Sequence, residues 1–104
     1  MSLSKFFILC VLLERPMHGY DITSAVEQKT DGCCSPKEGT IYPILRQFAD
    51  GGYVTFYLET VSGRERKVYT ITDKGRKAFK IGLEEWMKIT KSLELCVPIV
   101  ERCC

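Results

Sequence analysis

Residues 35–52, SPKEGTIYPILRQFADGG, contain the strongest helix signal in the chain. Ser35, Pro36 and Glu38 have the spacing of a capping box with proline at the first helical position. Apolar residues then recur at i, i+3, i+4 and i+7, and the glycine pair that closes the segment predicts the helix end. This spacing predicts a helix with one buried face, formed by Ile41, Ile44, Leu45 and Phe48.

Two shorter helices are predicted ahead of this segment. Residues 3–13 are apolar on nearly every face, which is typical of a helix buried on most sides, and Pro16 prevents its continuation. Residues 20–29 predict a second helix, and Thr30–Gly32 predict a turn. A short helix and a turn followed by a well-capped helix indicate a helix-turn-helix.

A β-hairpin and a long helix are predicted after it. Residues 53–60 and 67–71 are rich in aromatic and β-branched side chains. The intervening residues 61–66, which contain a Ser-Gly turn and three charged side chains, predict the hairpin tip. Thr72 predicts the start of a helix that reaches about residue 96. A basic hairpin directly after a helix-turn-helix forms a winged helix.

The sequence therefore predicts a small α+β protein that is mostly helical. Its 104 residues are 45% hydrophobic and 27% charged, which argues against disorder. We expect a winged helix-turn-helix over residues 1–72 and a C-terminal dimerisation helix with a short tail over residues 73–104. No apolar run reaches the length that a membrane span needs, so no membrane partner is expected.

Basic charge is concentrated in one part of the sequence. The net charge is only +2, but residues 62–80 contain seven basic and two acidic side chains. A local basic patch is the electrostatic footprint of a polyanion such as nucleic acid. From charge alone, a solvated charged face is an equally good explanation.

The six cysteines do not predict disulfides or a metal site. The apolar start lacks the cleavage site of a secreted protein, so we expect a cytoplasmic protein with reduced thiols. The vicinal pairs Cys33-Cys34 and Cys103-Cys104 do not have zinc-site spacing, and His18 is the only histidine. We expect no metal, no cofactor and no enzymatic activity, since no set of catalytic side chains is recognisable.

Four motifs together resemble the PadR family of bacterial transcriptional regulators. They are HGYDI at 18–22, SPxEGTIYP at 35–43, GGY at 51–53 and RKxYxITxxGR at 66–76. The resemblance covers about residues 8–80. It implies a winged-helix homodimer that binds double-stranded operator DNA, usually as a repressor. The two-fold symmetry of such a dimer predicts an inverted repeat in the operator. It also implies dimerisation through a single C-terminal helix.

DNA-binding side chains are expected on the hairpin and on the face of the capped helix opposite its buried stripe. Gly39 and Pro43 have no long side chain there, so the helix backbone could approach DNA closely. Tyr20 could contact a phosphate or belong to the core, and the sequence does not decide between them. The predicted DNA-binding residues are Tyr20, Lys37, Thr40, Tyr42, Arg46, Gln47, Arg64, Arg66 and Lys67.

The last helix has an apolar stripe that a second copy of the chain would bury. The predicted dimerisation residues are Phe79, Leu83, Trp86, Ile89 and Leu93. The family resemblance also suggests that a small aromatic effector binds near Trp86 and releases the protein from DNA.

Two alternatives remain open at this stage. Cys33 and Cys34, which precede the capping box, could form a thiol or metal sensor, because the positive helix end favours a thiolate. Relatives often have a bulky aromatic residue in that loop, and residues 97–104 match nothing recognisable. The second alternative is a winged helix that serves only protein–protein contact.

Overall fold

The computed structural model describes residues 2–99, which form four helices and a small sheet. The elements are α1 Leu3–Leu12, β1 Met17–His18, α2 Gly19–Lys29, α3 Glu38–Asp50, β2 Val54–Val61, β3 Arg64–Ile71 and α4 Asp73–Glu94. The strands are antiparallel in the order β1-β3-β2. The predicted α+β winged helix-turn-helix is confirmed. Within residues 2–99, no helix is long and apolar enough to cross a membrane.

The strands of the wing extend closer to the turn than the sequence predicts. Strands β2 and β3 pair over eight residues each, from Val54 opposite Ile71 to Val61 opposite Arg64. Only Ser62 and Gly63 form the turn, and both have positive φ, at 52° and 78°. The predicted Ser-Gly turn is confirmed, whereas residues 61 and 64–66, which the sequence predicts in the tip, belong to the strands. Two left-handed residues match the twist of the flanking strands, so pairing continues up to the turn.

Helix α3 begins later than the capping box predicts. Its N-cap is Lys37, which makes no side-chain cap hydrogen bond, so the predicted cap at Ser35 is wrong. The Lys37 carbonyl accepts the first backbone hydrogen bonds, from Thr40 and Ile41. Pro36 and Cys34 are buried instead. The segment before α3 thus packs against the protein as an extended connection, and this packing prevails over the local capping signal.

Strand β1 has no counterpart among the predicted elements. Met17 pairs with Tyr69 and His18 pairs with Val68, so this short strand joins the start of α2 to the wing. Two residues are too few to show the alternation by which a strand is recognised in sequence.

The core lies between α1, the helix-turn-helix and the base of the sheet. All four predicted stripe residues of α3 are buried. Phe79 of α4 is only 8% exposed, and its ring stacks on Phe6 of α1 at 4.8 Å between centroids. The prediction that Phe79 lies on an exposed stripe of a monomer is therefore wrong, because α1 offers it an apolar surface.

The rest of the predicted stripe on α4 is less covered. Trp86 is partly buried, with its ring centroid 6.0 Å from that of Phe6. Leu83, Ile89 and Leu93 are 40%, 49% and 61% exposed. An apolar surface thus continues along α4 beyond the core of the single chain.

The start of α4 is locked against the base of the wing. The Thr72 hydroxyl accepts a hydrogen bond from the Gly75 N–H at 3.1 Å and donates one to the Gly52 carbonyl at 2.6 Å. This confirms Thr72 as the cap. A Cβ atom added at Gly75 would lie 2.1 Å from the carbonyl oxygen of Tyr53. Only glycine therefore allows the helix to approach the strand so closely.

We expect Gly75→Ala to lower the free energy of unfolding by about 2–3 kcal/mol, because the obstructing atom belongs to the backbone and cannot rotate away. Gly39→Ala is the matched control, since a Cβ atom there meets nothing within 4 Å. It should raise stability by up to about 1 kcal/mol. Urea unfolding followed by circular dichroism, at one protein concentration, measures both. Equal effects of the two substitutions would contradict this packing.

Candidate nucleic-acid interface

An open groove lies where the start of α2, helix α3 and strand β3 meet. Its volume is about 690 Å³. It is lined by His18, Gly19, Tyr20, Tyr42, Glu65, Arg66, Lys67 and Tyr69. We call this the interface groove. Four of the nine predicted DNA-binding residues, contributed by three separate elements, meet here: Tyr20, Tyr42, Arg66 and Lys67.

The other predicted DNA-binding residues lie on exposed surfaces outside the groove lining. Thr40, Arg46 and Gln47 are exposed on the face of α3 opposite its buried stripe, and Gly39 has open space around it. Lys37 is exposed at the start of α3, and Arg64 is exposed beside the wing turn. All nine side chains are therefore accessible to a large partner.

A close contact fixes α3 against the start of α2. A Cβ atom added at Gly19 would lie 2.7 Å from Cε1 of Tyr42. The glycine of the HGY motif thus leaves room for the Tyr42 ring, which remains 46% exposed. This contact sets where α3 sits relative to the first backbone N–H groups of α2, which carry the positive end of the helix dipole.

Tyr69 lines the groove, although no periodic pattern in the sequence predicts a functional role for it. It is buried, and burial raises the pKa of its phenol, with Tyr42 raising it further and Arg46 opposing both. The phenol therefore keeps its proton at neutral pH and can donate a hydrogen bond. Its place in the RKxYxIT motif is the only sequence signal that could have identified it.

The wing presents positive charge on both of its faces. Residues alternate along β3, so Arg64 and Arg66 project from one face and Lys67 from the other. Lys67 Nζ lies 4.6 Å from the centroid of the Phe56 ring, which is a cation–π contact. Among residues 2–99, none of these three side chains is within salt-bridge distance of a carboxylate. Their charges are thus available to an anionic partner.

His18 links the groove to the wing. In the structure its Nε2 lies 3.7 Å from Oε2 of Glu59 on β2. Its Nδ1 is buried and has no hydrogen-bond partner among the described residues. The contact becomes an ion pair when the imidazole is protonated.

The two vicinal cysteines before α3 differ sharply in accessibility. Cys33 is exposed, whereas Cys34 is buried with its Sγ 3.6 Å from the Ser4 hydroxyl of α1. The Thr30 hydroxyl accepts a hydrogen bond from the Cys34 N–H at 3.0 Å and thereby closes the loop. No cluster of three or more potential metal ligands is found within residues 2–99.

Comparison with known proteins places this fold among transcriptional regulators. Residues 8–81 match the Transcriptional regulator PadR-like family. The negative transcriptional regulator PadR of Bacillus subtilis is 36% identical over 89 residues, which cover 84% of this chain but only 46% of that protein. The chain thus spans about half the length of that relative.

Two solved structures show the same likeness in three dimensions. A transcriptional regulator from Clostridium thermocellum has a TM-score of 0.78 and 31% identity, covering 86% of this chain and 88% of that one. Bacillus subtilis PadR in complex with operator DNA has a TM-score of 0.73 and 34% identity, covering 79% of this chain and 47% of that one.

The loop geometry predicts unequal thiol reactivity. A neutral alkylating reagent should modify Cys33 in the native protein, whereas Cys34 should react only when the loop opens away from α1. Peptide mapping by mass spectrometry after a time course measures both rates, and Cys33→Ser isolates the Cys34 signal. Equal native rates at the two positions would show that the Thr30 hydrogen bonds do not hold the loop closed.

Proposed function

Because this chain belongs to the PadR-like family of transcriptional regulators, we propose that it is a sequence-specific DNA-binding regulator, most simply a repressor. The observation that carries the proposal is the convergence of Tyr20, Tyr42, Arg66 and Lys67 on one open groove. Basic, hydroxyl and aromatic groups from three elements form a surface suited to a phosphate backbone. The solved complex of Bacillus subtilis PadR with operator DNA supports this.

The exposed face of α3 would enter the major groove. Thr40, Arg46 and Gln47 have the hydrogen-bonding groups to read base edges, and the bare backbone at Gly39 permits close approach. Sequence preference would therefore come from this helix.

The wing and the start of α2 would hold the phosphate backbone. Arg64, Arg66 and Lys67 supply positive charge, and Tyr20 is 65% exposed beside the first turn of α2. Such contacts increase affinity for all sequences and position the protein on the duplex without reading it. Lys37 and Tyr42 would add contacts at the start of α3.

We propose a homodimer formed through α4. Its exposed side chains Leu83, Ile89 and Leu93, with Met87 beside them, form an apolar surface that a second copy can cover. On this view residues 1–72 contact DNA and residues 73–104 dimerise, with α4 also contributing Phe79 to the core. A two-fold axis would place the two α3 helices about 34 Å apart, on an inverted repeat.

The signal that controls DNA binding is a separate proposal. Trp86 lies at the boundary between the core and the exposed part of α4, which suits contact with a flat aromatic effector near the dimer interface. The exposure of Cys33 keeps a thiol-based signal as the alternative. In either case the protein would act where the DNA is, in the bacterial cytoplasm.

Replacing Arg64, Arg66 and Lys67 together by Ala should weaken binding to every DNA sequence. The logarithmic slope of affinity against salt should flatten by roughly one unit for each phosphate that the protein no longer neutralises. The matched control replaces Lys80, Lys88 and Lys91 on α4, which removes the same charge elsewhere. Fluorescence anisotropy at several salt concentrations measures both variants, and an unchanged slope in the wing variant would refute the wing assignment.

Replacing Thr40 or Gln47 by Ala should change which sequences are preferred. Removal of a hydrogen bond to a base edge should reduce discrimination at one operator position by about 1–3 kcal/mol. Selection of DNA fragments from a random pool by the wild type and each variant measures this. A chain that selects no DNA, yet captures a protein partner, would favour the protein–protein alternative.

The wild type should sediment as a dimer at micromolar concentration. Leu83→Asp and Leu93→Asp should shift it towards the monomer, because each would bury a charge in the apolar interface. Ile81→Asp is the matched control, since Ile81 is 63% exposed and helical spacing places it on the opposite side of α4. A monomeric wild type, or equal effects at Ile81 and Leu93, would contradict this interface.

A further inference from the structure

His18 lies between the interface groove and the wing, so a change in its charge would affect both. It is the last residue of β1 and the N-cap of α2, and it lines the interface groove. Its side chain is mostly buried, at 21% exposure, and Nε2 lies 3.7 Å from Oε2 of Glu59. His18 thus lies at the start of a helix, lines the groove and approaches an acidic side chain of the wing.

The two ring nitrogens of this imidazole have different surroundings. Oε2 of Glu59 is placed to form an ion pair with the imidazolium. Against this, the imidazolium carries an N–H at the buried Nδ1, which has no acceptor among the described residues. Several titratable or charged groups face the site or lie beside it: Tyr20 and Asp21 of α2, Tyr42 of α3, Glu59 of β2, and Glu65, Arg66, Lys67 and Tyr69 of β3.

We propose that DNA binding is coupled to uptake of one proton by His18. The inference rests on the proposed function, because the DNA supplies the new charge. Phosphates held by Arg66, Lys67 and Tyr20 would lie beside the groove that His18 lines and would neutralise the two cations there. The balance at the imidazole then moves towards its charged form. The imidazolium pairs with Glu59 and draws β2 towards the start of α2, which fixes the wing against bound DNA.

The sequence makes this coupling measurable. His18 is the only histidine in the chain. Imidazole is the side chain whose ordinary titration falls between pH 5 and 8. Because the α-amino group also titrates near this range, the contribution of His18 is isolated by comparing the wild type with a variant that lacks the imidazole.

The direct test is a pH titration of the His18 Cε1–H resonance by NMR, with and without DNA. The probe is a duplex that the wild-type protein selects from a random pool. DNA should move the titration midpoint upwards. The comparison with and without DNA uses the wild type alone, so it does not depend on the folding of any variant.

Binding affinity gives the functional test. Wild-type affinity should rise as the pH falls, by at most about tenfold per pH unit, which is the limit for one proton taken up. His18→Asn retains a good helix N-cap without a titrating group and should remove this dependence. Circular dichroism confirms that the variant is folded.

The possible outcomes distinguish failure of the proton coupling from failure of the proposed DNA-binding function. If the wild type selects and binds no duplex at any pH, the proposed DNA-binding function fails and the proton coupling fails with it. If the wild type binds DNA with the same pH dependence as His18→Asn, or if DNA leaves the Cε1–H midpoint unmoved, DNA binding stands and the coupling is overturned.

Discussion

Helix α1 is the apolar surface on which the remaining elements assemble. It packs against α2, α4 and β3, and Ile8, Leu9 and Val11 are almost completely buried. A single short helix can serve three neighbours only if nearly all of its faces are apolar, which is what its sequence provides. Once α1 is enclosed, the helix-turn-helix lies on one side and the start of α4 on another. The interface groove then forms where α2, α3 and β3 converge.

Two close approaches in the fold are possible only because glycine occupies the position. Gly19 admits the Tyr42 ring, and Gly75 lets α4 meet the Tyr53 carbonyl. These contacts fix the angles between elements, whereas the apolar core fixes only which faces are buried. The two glycines belong to the HGY and RKxYxITxxG motifs. Their role in the packing gives those motifs a physical reason.

Periodic features were predictable from the sequence, and features that depend on distant contacts were not. The buried stripe of α3 and the Thr72 cap follow from local spacing. The exposed state of the nine candidate DNA-binding residues agrees with the helix and hairpin predictions, although their contacts with DNA remain predictions. Strand β1 and the buried Tyr69 depend on partners far along the chain. Helix α3 begins later than its capping box predicts, because Pro36 is buried in the connection that precedes the helix.

The two-residue turn of the wing limits which insertions and deletions the hairpin can accept. Strand residues alternate between faces, so one residue inserted at Ser62–Gly63 and absorbed into β3 would exchange the sides on which Arg66 and Lys67 project. Glu65 would then face the side that Arg66 now occupies. Insertions or deletions of two residues would preserve the pattern of charge. Insertions or deletions in this hairpin are thus restricted to even numbers of residues. A change of one residue would move each charged side chain of β3 to the opposite face of the wing.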